Sequence, residues 1–243
     1  MKLVVSGATG FTATEVIRQS LSNPRITSVL ALARRPVTVP ENLPPGADTS
    51  KLKSVVVEDF GKYFDDAKKQ LEGTDACIWT LAVTPSKSRS LPWDEVLKTC
   101  HDYTMEGLKA IFETRGSGKA TPLRFLYMSG VAAERDQTKT PKFMAQYTLM
   151  RGETENQVVA FAAAHPGQVE VTVAKPGLIL QPGNIRHWLS SWILWLLASL
   201  PSVGVVGISA AMLEQVINGF EKDPLMNDDL VRIGQKVLSE GKS

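Results

Sequence analysis

The feature that most narrows what this chain can become is a glycine turn between an apolar run and a helical repeat, in Met1–Ala13, MKLVVSGATGFTA. Lys2–Ser6 is short, β-branched and without polar alternation, the pattern of a strand buried on both faces of a parallel sheet. Gly7-Ala8-Thr9-Gly10 turns the chain, and Phe11–Leu21 follows with Val16, Ile17 and Leu21 at helical spacing. Gly7 permits the tight turn, Gly10 lets backbone approach a pyrophosphate, and Ala13 lets helix pack closely on strand. Free N–H groups and the positive end of the helix dipole hold the phosphates. The reading is a dinucleotide site; the alternative is a glycine turn in an unrelated α/β domain.

The remainder repeats this unit. Strands are expected at Ile26–Ala33, Leu52–Val57, Ala76–Leu81, Leu123–Met128 and Val169–Ala174. Helical patterns fall between them at Tyr63–Leu71, Trp93–Thr114 and Pro141–Ala164, the last with Pro141 at its first turn. Such alternation predicts one α/β domain, a doubly wound parallel sheet with helices on both faces. Residues 178–243 are expected to supply a small C-terminal substrate cap, with a short strand at Val203–Val206, a helix at Ala210–Phe220 and a late edge strand at Leu230–Ile233. Ligands of such sheets sit at the carboxyl ends of the strands. Gly7, Arg34, Asp59, Leu81, Ser129 and Lys175 should therefore share one rim.

The second strand ends in Arg34-Arg35-Pro36, about twenty residues past the glycine turn, where a unit selecting NAD places an acid on the ribose 2′-hydroxyl. No carboxylate occurs from Ile26 to Pro40. Two guanidiniums suit a 2′-phosphate that an acid would repel, so NADP(H) is expected over NAD(H). Ser129 ends a central strand, and Tyr147 and Arg151 stand four apart on one helix face. A phenol beside a fixed cation is expected to have a lowered pKa and to exchange a proton near neutrality, with the serine orienting a carbonyl. Cys100 and His101, on the helix after the fourth strand, are read as packing or solvent-exposed groups, with facing the pocket as the alternative, and Glu153 and Glu155 as helix exterior. No histidine–carboxylate cluster suggests a metal, and Ser129-Gly130 lacks the GxSxG context of a hydrolase.

With SGATGFTA, the acid-free strand end, Asp59-Phe60, FLYMSG, and YTLMRGETE followed by VAKPG, the chain resembles the atypical short-chain dehydrogenase/reductases, in their NmrA-like and Tat-interacting-protein-like branch. The resemblance covers residues 1–180 well and the remainder loosely. It implies a Rossmann fold, NADP(H) and a Ser/Tyr/Lys catalytic group. Ser129 then matches the family serine and Tyr147 its proton donor. Gly7, Ala8, Thr9, Gly10, Phe11 and Thr12 match the phosphate turn, Arg34 the 2′-phosphate contact, and Asp59 and Phe60 the adenine contacts. Leu81 and Ala82 match the loop under the cofactor, and Pro176 and Leu178 bound the loop beside the nicotinamide. The family lysine is Arg151 here. Arginine keeps the charge and bonds a ribose, but does not relay a proton.

A net charge of +2 argues against nucleic-acid binding driven by bulk charge. Two cysteines without metal-ligand spacing, and a first strand that begins at residue 2, point to the cytosol. Trp188–Leu213 carries no charge. Its tryptophan-rich part, Trp188–Leu200, is read as a core or lid helix over an apolar substrate, with a membrane contact as the alternative; His187 is a weak candidate at its entrance. The expectation is a reductase of a small, largely apolar carbonyl or alcohol, acting as monomer or homodimer. Two rivals are a non-catalytic NADP(H)-sensing regulatory protein and a redox-neutral isomerase or cyclase.

Overall fold

The computed structural model describes residues 1–63, 65–116, 119–180 and 201–241. In chain order the strands are β1 (Lys2–Ser6), β2 (Ser28–Ala33), β3 (Leu52–Val56), β4 (Ala76–Trp79), β5 (Leu123–Met128), β6 (Val169–Lys175), β7 (Leu178–Leu180), β8 (Ser202–Gly204) and β9 (Leu225–Met226). The helices are α1 (Phe11–Ser22), α2 (Asp65–Leu71), α3 (Pro85–Ser88), α4 (Trp93–Leu97), α5 (Tyr103–Thr114), α6 (Ala145–Ala164), α7 (Val205–Asn218) and α8 (Asn227–Glu240).

Seven strands pair in the order β3-β2-β1-β4-β5-β6-β9. Every pairing in this sheet is parallel. The order reverses between β1 and β4, which opens a crevice at their carboxyl ends. Alternate residues of each strand face opposite layers. Leu3, Val5, Val29, Ala31 and Ile78 pack with α1, α7 and α8. Val4, Leu30, Leu32, Trp79, Phe125 and Tyr127 pack with α2, α5 and α6. Burial on both faces is why the central strands read as unbroken apolar runs.

Several boundaries differ from the sequence reading, each for a local reason. Leu230–Ile233 is not an edge strand but lies inside α8; the edge strand is β9. Asp228 and Asp229 occupy the first helical turn, where Asp229 Oδ2 accepts the Met226 N–H at 2.9 Å, so N-terminal capping overrides a short apolar run. The strand expected at Val203–Val206 is β8, and α7 starts at Val205, earlier than the expected Ala210. Pro141 lies outside α6, which begins at Ala145 after Met144 in the left-handed conformation. The long helix over 93–114 forms as α4, one π-helical turn at Lys98–Asp102, and α5. Of the segment expected as a cap, β7 and β8 form a two-stranded parallel sheet, α7 and α8 pack in the helical layer with α1, and β9 extends the main sheet. His187 and the tryptophan-rich stretch 188–200 lie outside the described residues. Among those described, no helix is long and apolar enough to cross a membrane.

Candidate functional site

Parallel register brings the ends of β1 to β6 to one rim, as the sequence predicts. At β1, Gly7 has φ +63°, and a Cβ there would sit 3.0 Å from the Leu81 backbone nitrogen. The close approach of the two chain ends is fixed by Ser6, whose hydroxyl accepts Thr80 N–H at 3.0 Å and whose carbonyl accepts Thr80 Oγ1 at 2.7 Å. Gly10 N–H donates to Gly7 O at 2.7 Å, and Ala8 N–H to Leu32 O at 3.1 Å. Gly10 then caps α1 without a side-chain bond, and no acid lies in the first turn. The first-turn N–H groups of α1 thus face outward beside exposed Thr9, Gly10 and Phe11, over buried Ala8 and Thr12. This turn fits a diphosphate: the N–H groups that open α1 are uncapped by any side chain, and no carboxylate stands in the first turn to repel an anion.

Arg34 and Arg35 are exposed at the end of β2, and neither makes an ion pair among the described residues. Past β3, Asp59 Oδ1 accepts the Gly61 N–H at 2.9 Å, and its carboxylate lies 3.6 Å from Lys98 Nζ. The Gly61 N–H, the Tyr103 hydroxyl and the Lys98 charge hold this carboxyl below its ordinary range. The Phe60 ring points into the core, edge-on to Trp79 at 5.9 Å, leaving its backbone at the rim. Leu81 and Ala82 are half-buried beneath the crevice. Pro176 O accepts the Val131 N–H at 2.9 Å, and Leu178 N–H donates to Pro201 O at 2.8 Å, so the loop after β6 is tied on both sides.

Ser129 is held by its N–H to Ala174 O at 2.8 Å, and its hydroxyl is buried with no partner among the described residues. Tyr147 and Arg151 face the sheet together from α6. Arg151 is 4% exposed; its Nη2 donates to Met128 O at 2.8 Å, its guanidinium lies 4.9 Å from the Tyr127 ring centroid, and its Nη1 has no partner among the described residues. Burial opposes its charge, but Tyr127, Tyr147, Cys100 and Glu155 hold its pKa above the usual value. The Tyr147 hydroxyl donates to Val83 O at 2.8 Å. The lowered phenol pKa expected from the sequence is corrected here: burial pushes Tyr147 above its ordinary value, and Arg151 offsets that only in part.

Three weaker candidates of the sequence take up places that its pattern does not fix. Glu155, expected on the helix exterior, is fully buried one turn beyond Arg151. Its Oε2 accepts Arg135 Nε at 2.7 Å and Lys175 Nζ at 3.0 Å, and Arg135 continues to Asp223 at 2.9 Å. Two cations are what make a buried carboxylate tolerable there. Cys100 is wholly buried with Val83, Val96 and Met150, and the Tyr147 ring packs on this group together with Leu91 and Trp93. His101 sits apart, paired to Asp102 at 2.7 Å.

No protein-family model matches the chain. Among curated proteins it is 23% identical over 264 residues to "Protein FMP52, mitochondrial" of Candida albicans, covering 98% of this chain and 100% of that one. The reductase domain of PhqB from Penicillium fellutanum superposes with a TM-score of 0.68 at 18% identity, covering 94% of this chain and 67% of its own. Vestitone reductase from alfalfa gives 0.63 at 20% identity, with 93% and 76% covered. The dTDP-glucose 4,6-dehydratase DesIV from Streptomyces venezuelae, solved with NAD and TYD bound, gives 0.66 at 16% identity, with 98% and 81% covered. The chain has the Rossmann fold that these proteins share.

Proposed function

We propose that the chain is an NADP(H)-dependent oxidoreductase that reduces a small, largely apolar carbonyl or oxidises the corresponding alcohol. The observation that carries this reading is the convergence on one rim of the glycine turn Gly7–Thr12, at the uncapped start of α1, with Ser129, Tyr147 and Arg151. The Gly7–Thr12 backbone would hold the diphosphate, Arg34 and Arg35 the 2′-phosphate, Asp59 and the Phe60 backbone the adenine. Leu81, Ala82 and the Pro176–Leu178 loop would bracket the nicotinamide end. A nicotinamide bound there supplies or accepts hydride. The Ser129 hydroxyl, without a partner among the described residues, orients the substrate oxygen, and Tyr147 O–H gives it a proton. Arg151, pinned by Met128 O, keeps a permanent positive charge behind the phenol as negative charge develops there.

The reductases among the fold relatives support the reaction class, and the apolar wall of Val83, Leu91, Trp93 and Met150 beside Tyr147 supports the substrate class. The sequence reading of Trp188–Leu200 as a substrate lid belongs to the same proposal. So does the cytosol, since Cys77 and Cys100 are free thiols, although the Candida relative is named mitochondrial; fractionation of tagged protein decides the compartment. One observation favours a redox-neutral or sensing role: the phenol proton is engaged by Val83 O rather than facing Ser129. The dehydratase among the fold relatives fits that second reading. Parallel titrations with NADPH and NADH test the cofactor assignment. Tighter binding of NADPH supports it; binding of NADH alone removes the role of the two arginines, and binding of neither removes the proposal.

A further inference from the structure

The Val83 peptide, in the loop after β4, is held at both ends by side chains of the site. Its N–H donates to Cys100 Sγ at 3.2 Å, and its carbonyl oxygen accepts the Tyr147 hydroxyl at 2.8 Å. The Cys100 thiol reaches that same oxygen at 3.7 Å. Cys100 stands in the π-helical turn Lys98–Asp102. A π turn inserts an extra residue into a helix and re-aims the side chains around it. A carbonyl oxygen has two lone pairs, so Val83 O takes phenol and thiol together.

The phenol proton that lies on Val83 O is withheld from a substrate oxygen. Delivering it means breaking that bond, and a buried carbonyl left without a donor is unfavourable. The thiol is the donor that remains. We infer that Cys100 is a positioning residue for Tyr147: by keeping Val83 O bonded as the phenol turns away, it sets how readily the Tyr147 hydroxyl is released toward substrate. This rests on the reductase reading. Cys100 acts through the Val83 peptide and touches no reacting atom; its thiol keeps its proton throughout, and only hydrogen bonds are exchanged. The other titratable or charged groups around the phenol are Arg151 on α6 and, beneath that guanidinium, Tyr127 on β5. Arg151 is fixed in charge, so the exchange at Val83 O is the adjustable element.

The test compares Cys100→Ser, which keeps a donor, with Cys100→Ala and Cys100→Val, which do not. Proteins carrying 13Cζ-labelled tyrosine are examined by NMR, the Tyr147 resonance being the one lost in Tyr147→Phe. Both donor-less variants are expected to shift that resonance, because the phenol becomes the sole side-chain donor to Val83 O. Their kcat for carbonyl reduction should fall roughly five- to tenfold at unchanged KM. Cys100→Ser should stay near the parent in both readouts. An unmoved Tyr147 resonance, or equal losses in Ser, Ala and Val variants, overturns the inference. Absence of turnover in the parent protein, with the resonance still responding to Ala and Val but not Ser, leaves the exchange at Val83 intact and removes the reductase reading instead.

Discussion

At Gly7 the backbone conformation and the neighbouring chain make the same demand. The positive φ disfavours any side chain, and the Leu81 backbone leaves no room for one. Gly7→Ala is expected to destabilise the fold by about 1–2 kcal/mol and to weaken dinucleotide binding beyond that, measured by denaturant melts and a ligand titration. In the proposed function Arg34 acts by charge alone. Arg34→Ala should weaken NADPH at least ~tenfold and leave NADH nearly unchanged; equal losses for both would place Arg34 away from the 2′-phosphate. The positions of both residues are legible because they are local: a glycine turn and a strand-end cation show in a few letters. The place of Glu155 is not legible in this way, and neither is the burial of Arg151. Burial of a charge is decided by partners distant in sequence, here Arg135, Lys175 and the Met128 carbonyl, and nothing in the run Tyr147–Glu155 encodes them.

Among elements, α6 shows best where sequence patterns stop. Its buried face mixes Thr148, Arg151, Thr154 and Glu155 with Met150, Gly152 and Val158, so polar residues interrupt the apolar stripe that marks a core helix. The helix was readable from its length and composition; which side faces the sheet was not. Gly152 explains part of that arrangement. A Cβ there would lie 1.7 Å from Glu134 O, so the 131–140 loop rests directly on the helix backbone. Gly152→Ala should cost about 2–4 kcal/mol, seen as a lowered Tm, because backbone on both sides must move. An unchanged Tm would mean that this loop does not seat on α6. The α4–α5 segment teaches the same lesson: its periodicity predicts one helix, and the π turn that aims Cys100 inward leaves no mark in residue type.

Over the whole molecule the alternation of helices with buried apolar strands predicts a parallel sheet and its rim, whereas the strand order is seen only in the structure. The two-faced core has a further consequence. The chain has four tyrosines, and the fold raises the pKa of each. Desolvation is the largest cause in every case. With folded values above the unfolded one, the stability they contribute is whole below about pH 10 and is lost as pH climbs beyond it, because the unfolded chain ionises first. The buried Cys77 thiol, raised by desolvation too, adds a decline that begins at about pH 8.5, so denaturant melts should show stability flat across pH 7–8, easing down beyond that and falling steeply above 10. Tyr127→Phe, which removes the fully buried phenol on β5, should make that fall shallower; an unchanged slope would place the alkaline sensitivity elsewhere.

The central claim is that this rim couples a bound NADP(H) to proton delivery by Tyr147. Its most direct test is NADPH consumption against a panel of aromatic ketones and quinones, for the parent protein and Tyr147→Phe, with NADPH affinity measured alongside. Turnover is expected in the parent, with a loss of about 100-fold or more in Tyr147→Phe and nearly equal NADPH affinity in the two. Equal rates in both proteins, or NADPH that binds and is consumed with no substrate of the panel, would contradict it.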